Sequence, residues 1–352
     1  MTYAAMAVGN TAIRTELIGI AHNTSPFFSV YPITTAGYGT KFTNPATLPT
    51  GTAFGIGFDP QLTNVAVAHL TSPFITAYPI TNFSSIGTKY ANPATLPTGL
   101  GESAKFSPDG SLLAVGFDGN PSLFIYPFSS SGFGTKYSNP ATTTADTYSA
   151  RWNSAQNVIA AGHVGGAFIA AYAWTNASGF GTKYANPVDL PSTHGQDVDW
   201  TPNGDALACV FLNFVYTRVY AWNNSTGFGT TYSDPVSSPV SSSASGCRFA
   251  QAFLYNNSAL TFFSVAFSAA PRIRTYEFTA SSGFGGTIAS PATVVTGSAN
   301  NVDFSKTANV IAAASASTAF INAYPWSVSG YGTKFSNPAT LPAGTGNDIA
   351  IS

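Results

Sequence analysis

Charge is scarce in this sequence. Charged residues are 8% of its 352 residues, about a third of the share usual in globular proteins. The 13 basic and 14 acidic residues nearly cancel, and the basic residues are scattered singly along the chain. Nucleic acid binding depends on clustered lysine and arginine that neutralise phosphates, so we expect no nucleic acid partner.

Long apolar runs, a leader sequence and cysteine are scarce as well. No stretch approaches the roughly 18 uninterrupted apolar residues of a membrane-spanning helix, so no membrane span is predicted. The segment from Met1 has no basic region followed by a long apolar run, so no signal peptide is predicted. The two cysteines, Cys209 and Cys247, lack the spacing of metal ligands. Their context favours buried free thiols and leaves a disulfide between neighbouring repeats open.

What the sequence does contain is a phrase that occurs seven times. Each copy has an aromatic turn, a short strand and then Asn-Pro or a close variant, as in Gly132 to Pro140. The copies end at Pro45, Pro93, Pro140, Pro187, Pro235, Pro291 and Pro338. Successive ends are 47 or 48 residues apart, except for the 56 residues between Pro235 and Pro291. A fixed period of this size indicates a stacked array of one supersecondary unit.

The third unit shows what each repeat contains. Residues 102–106, 111–117, 122–127 and 135–142 have the pattern of strands, and the last of them is the most polar. Turn signals separate the first three strands, and the aromatic turn forms a loop before the fourth. Four antiparallel strands in about 47 residues are typical of a propeller blade. The sequence therefore predicts an all-β, seven-bladed β-propeller that forms one domain over residues 1–352.

Large aromatic side chains recur at fixed places in the units. One ends the first strand in six units, at Phe58, Phe106, Trp152, Trp200, Phe249 and Phe304. A tyrosine lies in the third strand of all seven units, at Tyr31, Tyr78, Tyr126, Tyr172, Tyr220, Tyr276 and Tyr324. Because one blade cannot bury both of its faces alone, we interpret these side chains as the core between blades.

The seventh unit is split between the two ends of the sequence. Ile351 follows Pro338 by 13 residues, which is the spacing of the first-strand aromatic residues from their preceding prolines. We therefore predict that residues 345–352 supply the first strand of a blade whose other strands lie in residues 1–50. Pairing of these two segments would close the ring and remove exposed sheet edges.

Two parts of the chain fall outside the regular units. The surplus of the longest interval lies around residues 237–245 and 254–260. Because loops often carry function on rigid scaffolds, this surplus is either a functional feature or a neutral insertion. Residues 1–12 are left over, as an extra edge strand or an arm.

Three short motifs of the third unit carry a resemblance to a known family. They are FSPDG at residues 106–110, LAVG at 113–116 and LFIY at 123–126, and the outlines of the first two return at 200–204 and 206–209. These motifs resemble those of WD-repeat β-propellers, although the Trp-Asp and Gly-His pairs of that family are missing, so its hydrogen-bonded tetrad is not expected. The resemblance implies a propeller that serves as an interaction platform. The uniform phrase is also similar to repeat proteins of bacteriophage and other viral genomes.

The titratable residues match no catalytic motif. Histidine recurs after the second strand at His22, His69 and His163, and other units have phenylalanine there, which favours packing over a metal site. Asp197 and Asp199 share one strand face, and we interpret them as lining the central channel or holding a stray cation. We therefore expect no catalytic residue, no metal and no cofactor. Convergent acids with a histidine at one channel mouth would instead indicate a hydrolase or lyase.

Two repeated features have competing interpretations. The lysine of the phrase either protects the outer strand edge or forms a positive rim for acidic glycans, and we favour edge protection. It is Lys41, Lys89, Lys136, Lys183 and Lys334. The aromatic residue inside the Gly-x-Gly turn either packs under the neighbouring blade or stacks on sugar rings at repeated weak sites. These candidate binding residues are Tyr38, Phe133, Phe180, Phe228, Phe284 and Tyr331.

Taken together, these patterns favour a non-enzymatic structural or interaction protein. A neutral surface of Ser, Thr, Asn, Gly and Ala is common on secreted and virion proteins. We therefore expect a virion surface protein (decoration or tail-associated) or an extracellular attachment protein, and leave a cytoplasmic location open. The expected partner is a protein of a larger assembly such as a capsid or tail. The alternative is a lectin-like protein that binds a cell-surface glycan at repeated inter-blade sites.

Overall fold

A computed structural model describes residues 16–352, apart from residues 213–216, 236–241, 252 and 256–257. The described residues form seven antiparallel sheets, one for each repeat. The first strands of neighbouring sheets contact one another around a ring, so each sheet is a blade that extends outwards from a central channel. This confirms the predicted all-β, seven-bladed propeller.

Each blade has four strands from the channel to the rim, and blade 6 has one more. The innermost strand of blade 1 comes from the C-terminal end of the chain. From the channel outwards, blade 1 contains β29 (Gly346–Ile351), β1 (Glu16–His22), β2 (Phe28–Thr34) and β3 (Gly37–Tyr38); blade 2 contains β4 (Ala53–Phe58), β5 (Asn64–His69), β6 (Ile75–Thr81) and β7 (Ser85–Ile86). In the same order, blade 3 contains β8 (Gly101–Phe106), β9 (Leu112–Phe117), β10 (Leu123–Ser129) and β11 (Gly132–Phe133); blade 4 contains β12 (Ala145–Trp152), β13 (Val158–Val164), β14 (Ile169–Thr175) and β15 (Gly179–Lys183); blade 5 contains β16 (Gly195–Trp200), β17 (Ala206–Phe211), β18 (Thr217–Asn223) and β19 (Gly227–Thr231). Blade 6 contains β20 (Ala244–Phe249), β22 (Ser258–Phe267), β23 (Ile273–Thr279) and β24 (Gly283–Ile288), with β21 (Phe253–Tyr255) beside β22; blade 7 contains β25 (Ala299–Phe304), β26 (Val310–Ser315), β27 (Ile321–Ser327) and β28 (Gly330–Tyr331).

The ring closes in blade 1, as the spacing of Ile351 predicts. Strand β29 pairs with β1 in antiparallel register, with Ile351 opposite Ile18. The C-terminal residue continues the contact, because the amide of Ser352 donates to the Leu17 carbonyl at 3.0 Å. The Ser352 hydroxyl oxygen in turn accepts a hydrogen bond from the Leu17 amide at 2.7 Å. Residues 1–12 lie outside the described residues.

The apolar core lies between blades, as the repeated aromatic residues predict. One apolar cluster, for example, combines Ile75 of blade 2 with Val115 of blade 3. The seven third-strand tyrosines have no solvent-exposed area. Several of them also reach the segment that joins their blade to the preceding one: the hydroxyl of Tyr126 donates to the Thr95 carbonyl at 2.8 Å. Neighbouring blades are therefore held together by both packing and hydrogen bonds.

The fourth strands differ from the prediction. The expected strand over residues 135–142 is wrong, because β11 is Gly132–Phe133 and lies inside the predicted loop. The residue after the third-strand tyrosine accounts for the difference. Where it is proline, as at Pro127, the fourth strand has two residues, and where it is alanine or glutamate, as at Ala173, the fourth strand has five or six. Proline has no N–H to donate to the adjacent strand, so regular pairing stops beside it.

Blade 6 carries part of its surplus residues as an additional hairpin. Strand β21 pairs with the start of β22, with Phe253 opposite Leu260. This hairpin coincides with one of the two stretches, residues 254–260, that the sequence marks as irregular. Most of the other stretch, residues 237–241, lies outside the described residues.

The innermost strands leave one edge unpaired toward the channel, and polar side chains of the preceding blade satisfy it. We number six positions along each innermost strand, so that Gly195 is position one and Trp200 is position six in β16. At position three, Asp348 of blade 1 accepts a hydrogen bond at 2.9 Å from the amide of Ile56 in blade 2. Asp197 does the same in blade 5, accepting from the amide of Cys247 in blade 6 at 3.0 Å.

Aspartates at position five repeat this arrangement one step further along the channel. Asp199 of blade 5 accepts from the amide of Phe249 in blade 6 at 2.7 Å. Asp303 of blade 7 accepts from the amide of Ile351 in blade 1 at 2.8 Å. A buried backbone N–H without a partner is costly, so these carboxylates join the blades through their inner edges.

Asp348, in the strand that closes the ring, contacts buried groups of three other blades. Its carboxylate lies 2.7 Å from the Nζ atom of Lys105 in blade 3 and accepts from the side-chain Nδ2 atom of Asn301 in blade 7 at 2.7 Å. Burial alone would raise the pKa of Asp348, but the ammonium of Lys105 and the amide of Ile56 hold that pKa below its usual value. Asp348 therefore contacts blades 2, 3 and 7 as a carboxylate.

We predict that Asp348→Ala lowers the free energy of unfolding by about 3 to 5 kcal/mol, because it leaves Lys105 buried without its counter-ion. Urea titration followed by tryptophan fluorescence measures this change. The double variant Asp348→Ala, Lys105→Met is the matched control, and part of the loss should return because the stranded charge is gone. A loss below about 1 kcal/mol in the single variant would contradict the role given to this ion pair.

A second prediction concerns the third-strand tyrosines. Tyr126→Phe removes the hydrogen bond to the Thr95 carbonyl and should lower the free energy of unfolding by about 1 kcal/mol. Tyr78→Phe is the matched control at the equivalent position of blade 2, where the described structure shows no hydrogen bond from the hydroxyl to a carbonyl of the joining segment. Equal losses in the two variants, measured by urea titration, would show that the hydrogen bond contributes nothing.

Candidate active site in the central channel

One mouth of the central channel opens onto a polar cavity of about 230 Å³. Side chains at positions two, three and five of the innermost strands form its wall, and all seven blades contribute. The lining residues are Phe54, Glu102, Ser103, Lys105, Tyr148, Ser149, Arg151, Gln196, Asp197, Ser245, Asn300, Asn301, Asn347 and Asp348. A concave site with several convergent polar groups is where a small ligand is expected to bind.

Glu102, at position two of β8, is the carboxyl group best suited to proton transfer in this cavity. Burial, together with the carboxylates of Asp118 and Asp146, raises the pKa of Glu102 to about 8. Burial and Asp146 also raise the pKa of Asp118. A general acid or base works best when its pKa lies near the working pH, and Glu102 meets that condition.

Tyr148 and His194 lie at the same mouth. Tyr148 occupies position two of β12, and its ring centroid is 6.4 Å from that of His194, which directly precedes β16. Burial and the charges of Glu102, Asp118 and Asp146 raise the pKa of Tyr148, so its hydroxyl remains protonated. Convergent acids and a histidine at one channel mouth are the arrangement that indicates a hydrolase or lyase.

Arg151, at position five of β12, supplies positive charge deeper in the cavity. Its Nε and Nη2 atoms are buried and have no hydrogen-bond partner in the described structure. Lys105 lines the same wall but is already paired with Asp348. A guanidinium with free donors can bind a carboxylate, a phosphate or the oxyanion that develops during acyl transfer.

Amide side chains complete the wall on the side of blades 7 and 1. The Nδ2 atom of Asn300 donates to the Gly346 carbonyl at 2.8 Å, and that of Asn347 donates to the Ala53 carbonyl at 2.7 Å. Each amide thereby joins its blade to the next one, and its Oδ1 atom is left to accept from a ligand. Hydroxyl groups are the ligand groups that such oxygens bind best.

Asp197 and Asp199 line the central channel, which is one of the two interpretations given to this pair in the sequence analysis. Asp197 borders the cavity described above, and Asp199 borders a second cavity at the other mouth. Both carboxylates are committed to backbone amides of blade 6, and Asp197 also accepts from the Ser149 hydroxyl at 2.5 Å. Within the described residues, no group of three or more His, Cys, Asp or Glu side chains is arranged to hold a metal ion.

The six aromatic residues of the Gly-x-Gly turns lie between the blades near the rim, far from the channel strands in each sheet. Phe133, for example, lies 5.5 Å from the Tyr126 ring and 5.3 Å from the Phe128 ring. The hydroxyl of Tyr331 contacts the Thr275 hydroxyl of the preceding blade at 2.6 Å. Each of the six also packs against an apolar cluster that combines its own blade with the preceding one, so these side chains are inter-blade residues: Tyr38, Phe133, Phe180, Phe228, Phe284 and Tyr331. A binding role for them stays a prediction.

Each of the repeated lysines forms a hydrogen bond within its own copy of the repeated phrase. Each donates from Nζ to the asparagine three residues later, as Lys136 does to Asn139 at 2.7 Å. Lys136 also lies 4.3 Å from the centre of the Phe124 ring. Burial lowers the pKa of all five lysines. Their side chains therefore help to fix the irregular outer segment.

The recurring histidines and the two cysteines are buried. Burial lowers the pKa of His22 and of His69 to about 4, so both imidazoles are neutral, and His22 contacts the Ser29 hydroxyl at 3.1 Å. Burial also lowers the pKa of His163. Cys209 and Cys247 are free thiols, as their sequence context favours. In the described part of the chain, no helix is long and apolar enough to cross a membrane.

The sequence analysis missed Glu102, Tyr148, Arg151 and His194. It searched for features that the units share, whereas these residues are features in which the units differ. Position two is a different kind of side chain in most blades, and position five is alanine or glycine in two blades, a cation in three and an aspartate in two. Variation at an inward-facing position within otherwise uniform repeats is the signal that could have identified the channel site.

Solved structures provide the comparison with known proteins. No family model matches the chain, and no curated protein matches it. The chain is similar to the periplasmic gluconolactonase of Pseudomonas aeruginosa, with a TM-score of 0.67 and 11% identity over 96% of this chain and 99% of that one. A candidate 6-phosphogluconolactonase from Bacteroides fragilis gives a TM-score of 0.68 and 9% identity over 97% and 99% of the two chains. A protein from Lactobacillus plantarum gives 0.67 and 12% over 96% and 99%.

These neighbours correct the functional expectations. They are bacterial propellers that include lactonases, so the seven-bladed propeller stands, while the similarity to phage repeat proteins and the virion assignment have no support. The expectation of a non-enzymatic structural or lectin-like protein is contradicted, because the same fold over nearly the whole chain occurs in gluconolactonases. The expected protein partner, glycan and extracellular location stay predictions. At such low identity the likeness itself shows the fold.

Proposed function

We propose that this protein is a hydrolase of small, hydroxyl-rich lactones and that the cavity at the Glu102 mouth is its active site. One observation carries the proposal: a carboxyl group with a pKa of about 8 and an arginine with unpaired donors line the same polar cavity. The shared fold with gluconolactonases supports the choice of a lactone as the substrate class. The cavity, with a volume of about 230 Å³, has room for a single sugar ring.

In this mechanism Glu102 is the catalytic acid–base group. Its carboxylate takes a proton from a water molecule while the water oxygen forms a bond to the lactone carbonyl carbon. The carbonyl oxygen becomes an oxyanion, which the Arg151 guanidinium stabilises. The ring C–O bond then breaks, the carbonyl re-forms, and Glu102 returns the proton to the departing ring oxygen. The products are a hydroxyl group and a carboxylic acid, so one water molecule is consumed for each ring opened.

The other lining residues would orient the ring. The Oδ1 atoms of Asn300 and Asn347 and the side chain of Gln196 are suited to hydroxyl groups, which a simple aliphatic lactone lacks. A buried polar site discriminates strongly against a ligand that leaves its groups unpaired. We therefore expect sugar-acid lactones to be hydrolysed in preference to aliphatic lactones of the same ring size.

If Glu102 is the catalytic base, Glu102→Gln should lower kcat/KM for D-gluconolactone by about 10²- to 10⁴-fold, because it removes the proton acceptor and keeps the shape of the side chain. Acid release in a pH-stat, corrected for spontaneous hydrolysis, measures the rate. Glu277→Gln is the matched control, since Glu277 lies in β23, away from the innermost strands, and should leave the rate unchanged. A folded wild-type protein without activity on any sugar-acid lactone would overturn the proposed function.

The proposed mechanism also predicts how kcat/KM depends on pH. Because Glu102 must be deprotonated to act as the base and its pKa is about 8, kcat/KM should rise with pH below 8 and level off above it. The rise should be about tenfold per pH unit well below the pKa. The profile of the residual activity in Glu102→Gln should lack this limb. A wild-type profile that is flat between pH 6 and about 9 would rule out Glu102 as the base.

A further inference from the structure

The opposite mouth of the channel contains a second cavity of about 230 Å³. Side chains at positions five and six of the innermost strands, with the turns that follow them, form its wall. Its charged lining residues are Arg151, Arg248, Lys306, Asp199 and Asp303. Three cations face two carboxylates, so the cavity carries a net positive charge when all five groups are ionised.

The two cavities are separate sites. Arg151 borders both, while the other lining residues of each are distinct. The buried pair of Lys105 and Asp348 belongs to the wall of the first cavity, and the Arg248 cluster belongs to the wall of the second. A ligand at the second mouth would therefore not occupy the position assigned to the lactone.

Arg248 has an unused hydrogen-bond donor at this second mouth. Its side chain is 7% exposed, and its Nε atom donates to Asp303 at 2.7 Å while Nη1 donates to Asp199 at 3.4 Å. The Nη2 atom is buried and has no partner among the described residues. Burial would lower the pKa of Arg248, but the carboxylates of Asp303 and Asp199 raise it, so the guanidinium remains charged.

Arg151 adds two more unused donors to the same cavity, its Nε and Nη2 atoms. Buried donors without acceptors are uncommon in folded proteins because each loses the hydrogen bonds it makes to water. Donors on two arginines, a positive balance and a small volume together match an oxyanion, since guanidinium groups bind carboxylate and phosphate oxygens with paired N–H donors.

We propose that the second mouth is a binding site for one small oxyanion, a carboxylate or phosphate group, held by the Nη2 atom of Arg248 and by the Arg151 guanidinium. The site shares Arg151 with the lactone cavity, and all its other lining residues are different. Because Arg248 already joins blade 6 to the aspartates of blades 5 and 7, the bound anion would add a further contact between blades.

Isothermal titration calorimetry of the full chain at low ionic strength tests the proposal, with inorganic phosphate in one arm and acetate in the other. We expect saturable binding of one anion per chain, and the stronger arm identifies the oxyanion class. Arg248→Lys keeps the charge beside Asp199 and Asp303 but removes Nη2, and it should weaken binding at least about tenfold. Lys183→Met is the control that removes one positive charge at the rim, and it should leave the dissociation constant unchanged.

A second variant keeps the test decisive if Arg248→Lys does not fold. Lys306→Met removes a surface charge from the cavity wall and should weaken binding about three- to tenfold through lost attraction. Absence of saturable binding of either anion by the wild-type protein would overturn the proposal, and so would equal affinities in wild type, Arg248→Lys and Lys306→Met. Glu102→Gln should bind the anion as the wild type does, so this result does not depend on whether the protein hydrolyses lactones.

Discussion

The unpaired inner edges of the seven innermost strands are the constraint on which the channel depends. Every other interior strand in a blade has a neighbour on each side, but an innermost strand has one only. Its remaining N–H groups need acceptors, and side chains from the preceding blade supply them, as Asp197 does for Cys247 and Asp303 does for Ile351. Carboxylates in a buried channel then need cations, which Lys105 and Arg248 provide. The closed ring therefore needs polar side chains in its channel, whether or not the channel binds a ligand.

The scaffold and the channel follow different rules. Third-strand tyrosines are the same in all seven units because every inter-blade space has the same shape, and all seven are fully buried. Positions two and five of the innermost strands face a shared space, where seven identical charges would repel one another. Those positions therefore differ from blade to blade, and Glu102, Tyr148 and Arg151 fall on one side of the channel. A nearly sevenfold scaffold in this way contains a site with no symmetry.

Local and periodic features could be predicted from the sequence, and convergent ones could not. The period fixed the number of blades, and the spacing of Ile351 from Pro338 identified the closing strand. The fourth strand of the third unit was misplaced because Pro127 removes a donor from the neighbouring strand, an effect of pairing between strands. The candidate site could not be predicted from the sequence because its residues come from single positions about one repeat apart. Only the closed ring brings Glu102 and Asn347 to one cavity.

Closure by β29 has a consequence for synthesis of the protein on the ribosome. Blades 2 to 7 are each built from consecutive segments, so each can pair its own strands as soon as it has emerged. Blade 1 must wait with an open β1 edge until residues 346–351 have been made. The same segment carries Asn347 and Asp348 of one cavity and Ile351 of the other. A nascent chain that stops before β29 would therefore have most of its blades and neither complete cavity.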